Sequence, residues 1–62
     1  MELYIQLRAQ TARDYYNRGV EKVGGGNYHD AVQDFTRAIE LNPNFSDAYY
    51  NRGVVEAELG KL

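Results

Sequence analysis

Tyr15-Tyr16-Asn17-Arg18-Gly19-Val20 returns letter for letter as Tyr49-Tyr50-Asn51-Arg52-Gly53-Val54, at an offset of 49 − 15 = 34. Gly26 and Gly60 keep the same register. Six consecutive identities in so short a chain mark an internal repeat, and a period of 34 suits a supersecondary unit stacked on its copy. Such a unit hides its apolar face only against a neighbour, so the chain is expected to build one core from near-copies.

Between the copies the apolar residues follow a helical period. A first helical pattern runs to Val23 and stops at Gly24-Gly25-Gly26. A second opens at Asn27, a good N-cap, with Asp30 near its exposed N–H groups. Its stripe is Ala31, Phe35, Ala38 and Ile39, spaced as one helix face requires. Leu41 ends it, because Asn42 precedes Pro43 and is pushed out of the α region. A third restarts after Asn44 and runs to about Leu59, with Gly60 in its C-terminal cap region. The fold class is therefore all-α, with three helices expected at about 2–24, 28–41 and 45–59.

Composition narrows the possible functions. Sixty-two residues make one small domain, which buries only about 60% of the surface of its unfolded chain. Disulfides, metals or oligomerisation usually support such a domain. There is no cysteine and one histidine, His29, which removes disulfides and His/Cys metal sites. Apolar residues at 44% and charged residues at 26% fit a globular domain rather than a disordered one. A net charge of −2 offers no basic patch for nucleic acid. There is no apolar run long enough to span a membrane, and the acidic start lacks the basic region of a secretory signal. A cytoplasmic location is expected.

The 34-residue helix–turn–helix period resembles the tetratricopeptide repeat. The match covers residues 12–62: a full repeat at 12–45 and the first helix of a second at 46–62. The family's small first-helix residue falls on Gly19 and Gly53, its aromatic on Tyr15 and Tyr49, and its turn glycine on Gly26 and Gly60. In the second helix Tyr28, Ala31, Phe35, Ala38 and Pro43 fill signature positions. The pattern departs at Arg18 and Arg52, where leucine is usual, and at Lys22 and Glu56, where an aromatic is common. The resemblance implies a hairpin in which Gly19 and Ala31 allow close approach while Phe35 and Tyr28 fill the seam.

At offset 34, Tyr4-Ile5-Gln6-Leu7 aligns with Ala38-Ile39-Glu40-Leu41, so residues 1–11 read as the tail of a preceding second helix. Ala9 replaces Pro43 in that alignment, and no glycine or proline falls between Glu2 and Val23. A continuous first helix of about 22 residues, near 33 Å long, is therefore preferred. Thr11 with Asp14 offers the alternative of a capping box that starts a helix there. At the other end Val55, Leu59 and Leu62 have no evident cover, which predicts self-association of two or more chains together with Leu3, Ile5 and Leu7. The three glycines read as a loose turn, with a hinge for chain exchange as the sharper alternative. The run and the brevity also fit a fragment or an engineered sequence.

No catalytic constellation emerges, and the chain is read as a non-enzyme without cofactor or metal. The only serine is Ser46, near a helix cap. His29 reads as a surface residue, and Asp30, Asp34, Glu56 and Glu58 read as helical surface charges. Gly24-Gly25-Gly26 lacks the lysine and hydroxyl of a phosphate loop. In the family, first helices line a concave groove that holds peptides. Carried over, the groove residues are Arg13, Tyr16, Asn17, Val20 and Val23, with Asp47, Tyr50, Asn51, Val54 and Glu58. Asn17 and Asn51 suit hydrogen bonding to a peptide backbone, and Tyr16 and Tyr50 suit interface anchors. Tyr16 and Val20 stand where members that clamp chaperone C-termini carry lysine and asparagine, so that activity is not expected. The expected function is protein–protein interaction through a peptide or protein partner. Self-assembly through the open ends is the alternative.

Overall fold

Thr11 decides where the first helix begins. Its backbone is extended (φ −94°, ψ 172°), its hydroxyl accepts from the Asp14 N–H, and the Asp14 carboxylate accepts from the Thr11 N–H. Both halves of a capping box are present, and Asp14 also faces the positive end of the helix dipole. The computed structural model describes residues 11–61, and its first helix, α1, spans Ala12–Gly24. The continuous helix from residue 2 is thereby corrected: an extended Thr11 stops a helix from running through it. Residues 1–10, including Leu3, Ile5 and Leu7, and Leu62 lie outside the described residues.

Helix α2 spans Tyr28–Leu41, and α3 spans Ser46–Leu59. Asn27 stands at the N-cap of α2 without a side-chain cap bond. Phe45 takes that place before α3, also without one, and its ring is buried instead. Of the three glycines in the first turn only Gly26 has positive φ, at 80°, where a side chain would be strained. Gly25 caps α1 in right-handed geometry, its N–H reaching the Glu21 and Lys22 carbonyls. Asn42 is extended, as its place before Pro43 demands.

The contacts fix the topology. Gly19 meets Phe35 and Lys22 meets Asp34, so α1 and α2 run antiparallel. Arg52 donates to the Thr36 hydroxyl at 3.1 Å, while Ala48 packs with Ala38 and Ile39, so α3 returns antiparallel along the other side of α2. Helix α2 is the central element and carries most of the buried side chains: Ala31, Asp34, Phe35, Ala38 and Ile39. One apolar cluster joins Ala38, Ile39, Phe45 and Ala48; the other joins Ala31, Phe35 and Val55. Tyr16 packs against both. Phe35 is wholly buried, which contributes roughly 1.5–3 kcal/mol.

Two expectations change here. Val55 is covered within the chain, with 3% of its surface exposed, because α3 turns it onto Ala31 and Phe35. Leu59 packs beside the same cluster while staying partly exposed. Asp34 is not a surface charge: it is 7% exposed, and Lys22 Nζ lies 3.0 Å from its Oδ2. This ionic contact balances the charge of the buried carboxylate. Among the described residues no helix is long and apolar enough to cross a membrane.

Candidate functional site

Helices α1 and α3 carry the same six residues, and both lie along α2 in the same direction. A hydrogen bond ties them together: Asn51 Nδ2 donates to the Tyr16 hydroxyl at 2.7 Å. Tyr16 is placed for this by its packing, with its ring centroid 5.7 Å from that of Phe35 and 5.0 Å from that of Phe45. The Arg13 guanidinium lies over both neighbours, 5.5 Å from the Tyr16 ring centre and 5.2 Å from that of Phe45. Cation–π contacts of this kind are worth about 0.5–1 kcal/mol at exposed sites.

The expected groove residues fall around this bond. Toward the C-terminal ends of the two helices, Val20, Val23, Asn51 and Val54 line a hollow of about 110 Å³ floored by Phe35 and Val55. Val20 and Val54 are 45% and 44% exposed, so this hollow is apolar with one amide in its wall. Toward the N-terminal ends, Arg13 and Asp47 line a second, wider hollow of about 350 Å³ with the loop residues Asn42 and Asn44. Asn17, Tyr50 and Glu58 are exposed and line neither.

The two tyrosines proposed as anchors differ. Tyr16 is half-buried with its hydroxyl engaged, so it supports the surface rather than projecting from it. Tyr50, its repeat copy, is 73% exposed and free to meet a partner face-on. Asn51 spends one amide hydrogen on Tyr16, which holds its side chain in place beside the apolar hollow.

His29 is exposed beside the Gly26 turn. Among the described residues no three His, Cys, Asp or Glu side chains stand together as metal ligands. Arg37 is held above its ordinary pKa by its hydrogen bond to Glu40 and then by that to Tyr15. It lines neither hollow. The Lys22–Asp34 contact escaped the sequence reading. The signal was available, since an antiparallel hairpin that seats Phe35 on Gly19 also brings Lys22 alongside Asp34.

Residues 21–60 match the family described as TPR repeat. An uncharacterized protein of Methanocaldococcus jannaschii is 40% identical over 50 residues, covering 81% of this chain and 58% of its own length. A UDP-N-acetylglucosamine–peptide N-acetylglucosaminyltransferase of Giardia intestinalis is 47% identical over 48 residues, 77% of this chain and 3% of the transferase. A tetratricopeptide repeat and J domain-containing co-chaperone of Cryptococcus neoformans is 30% identical over 56 residues, 90% of this chain and 11% of the co-chaperone. The chain thus spans little more than half of the first relative and small parts of the others. No solved structure matches. The period, the glycine–phenylalanine seam and the family match agree, and the chain belongs to the tetratricopeptide repeat family.

Proposed function

We propose that this chain is a non-catalytic interaction unit that presents the paired outer faces of α1 and α3 to a peptide or protein partner. The contact residues are Arg13, Asn17, Val20, Asp47, Tyr50, Asn51 and Val54, with Tyr16 behind them holding the Asn51 amide in place. The observation that carries the reading is the apolar hollow between Val20 and Val54, with the Asn51 amide held in its wall. An apolar recess with one fixed polar group suits an aliphatic side chain entering beside a backbone amide. Exposed Tyr50 adds a flat apolar face with a polar tip.

The test is amide chemical-shift mapping with a library of extended peptides. Shifts concentrated on Val20, Asn51 and Val54 are expected, and Val54→Lys removes them without changing the melting curve. Shifts confined to other surfaces would refute the reading.

A second reading, self-assembly through the ends, is favoured by the partial exposure of Leu59 and the exposure of Tyr49. It would use Leu3, Ile5, Leu7, Leu59 and Leu62, but not the buried Val55. Sedimentation at micromolar concentration separates the two, since a folded monomer that still binds peptide supports only the first.

A further inference from the structure

The surface between α1 and α3 is built of matched rungs, because the two helices run in the same direction and repeat at an offset of 34. Arg13 is in register with Asp47, Asn17 with Asn51, Val20 with Val54, and Gly24 with Glu58. The rungs differ in charge. The first brings one cation and one acid to the wider hollow, so it is balanced, and its guanidinium is stacked over the Tyr16 and Phe45 rings. The second and third are uncharged.

The fourth rung carries an acid with no side chain opposite. Glu58 follows Val54 by four residues and so shares its face of α3, one turn further on. A Cβ on Gly24 would meet nothing within 4 Å, so the space across from Glu58 is open. Lys61 Nζ lies 3.2 Å from Glu58 Oε2, but the two side chains are 71% and 47% exposed. Water screens such a pair, and a cation on a ligand can take the place of the lysine.

Spacing ties this carboxylate to the apolar hollow. Four residues of helix set Glu58 about 6 Å beyond Val54 along the axis. Two residues of extended peptide span roughly 6.6 Å, and side chains two apart share a face. A peptide whose aliphatic side chain enters the Val20–Val54 hollow therefore brings the side chain two residues away level with Glu58.

We propose that this surface selects extended peptides in which lysine or arginine stands two residues from the aliphatic side chain in the hollow, with the cation meeting Glu58 across the gap at Gly24. The inference rests on the reading of the hollow as a peptide site and adds to it the charge of the ligand. A peptide acid at the same place meets Glu58 as a like charge, which counts against binding.

The experiment is amide chemical-shift titration of the isotope-labelled chain at low salt. The probes are short Gly/Ser peptides with one leucine and either lysine or glutamate two residues before it or two residues after it. In one of the two orders the lysine peptide is expected to bind about fivefold more tightly than its glutamate counterpart. Its shifts fall on Val20, Asn51 and Val54 and extend to Glu58. Glu58→Gln removes the preference and Glu58→Lys reverses it, while a peptide with leucine and no charge binds all three chains alike. Circular dichroism confirms that both variants stay folded. Binding at the hollow with lysine and glutamate peptides equal in both orders, or a lysine preference that persists in Glu58→Lys, would overturn this inference and leave the hollow as a peptide site. No shifts at Val20, Asn51 and Val54 with any of the peptides would overturn both.

Discussion

Replacing Gly19 and Gly53 by alanine, one at a time, separates two sites that share every neighbour in sequence from Tyr to Val. Alanine favours a helix interior over glycine by roughly 0.5–1 kcal/mol. At Gly53 nothing lies within 4 Å of the new methyl, so the whole gain is expected to appear as stability. At Gly19 the methyl would stand 2.6, 2.8 and 3.0 Å from three atoms of the Phe35 ring. That ring is wholly buried and flanked by Tyr16, so it cannot simply swing aside. Overpacking of this kind costs about 1–3 kcal/mol, which exceeds or at least offsets the helix gain. The two variants should therefore differ by about 1–3 kcal/mol, with Gly53→Ala the more stable. For a domain of this size each kcal/mol moves the melting midpoint by about 4–8 °C. Thermal and urea unfolding followed by circular dichroism at 222 nm measures the difference. Equal shifts in the same direction would show that Phe35 does not press on Gly19 and would remove the basis for the α1–α2 seam.

Two further outcomes test the polar contacts. Lys22→Met leaves the buried Asp34 carboxylate without its cation and should destabilise by about 1–3 kcal/mol, toward the low end because the lysine side chain is 35% exposed to screening water. Adding Asp34→Leu should recover part of that loss in urea unfolding, since a buried pair replaced as a whole is often tolerated. Thr11→Ala removes the hydroxyl half of the capping box and should cost about 1 kcal/mol, with early fraying of α1 seen as faster amide exchange at Asp14.

How far the sequence could be read depended on whether the relevant interaction was local. The second helix was legible because Asn42-Pro43 enforces its end and the Ala31–Ile39 stripe sets its period; both act within a few residues. The start of α1 was legible only as an alternative. Two local signals competed at Thr11, the helix-compatible run from Glu2 and the Thr11–Asp14 box, and the box prevailed. The candidate surface was legible as a set of positions. Which of its tyrosines projects was not, because Tyr16 and Tyr50 have identical near neighbours in sequence.

By itself the sequence determined the all-α class, the 34-residue register and the family, since helical period, turn chemistry and repeat identity are carried by residue type and spacing alone. Only the tertiary structure decided which copy of each residue is covered. Gly19 lies under Phe35 while Gly53 is open, and Val55 is buried while Val54 is not. The physical reason is that burial belongs to pairs of elements. Helix α2 has a neighbour on each side, whereas α3 packs against α2 on one side and leaves its Tyr49–Gly53–Glu56 face to solvent among the described residues.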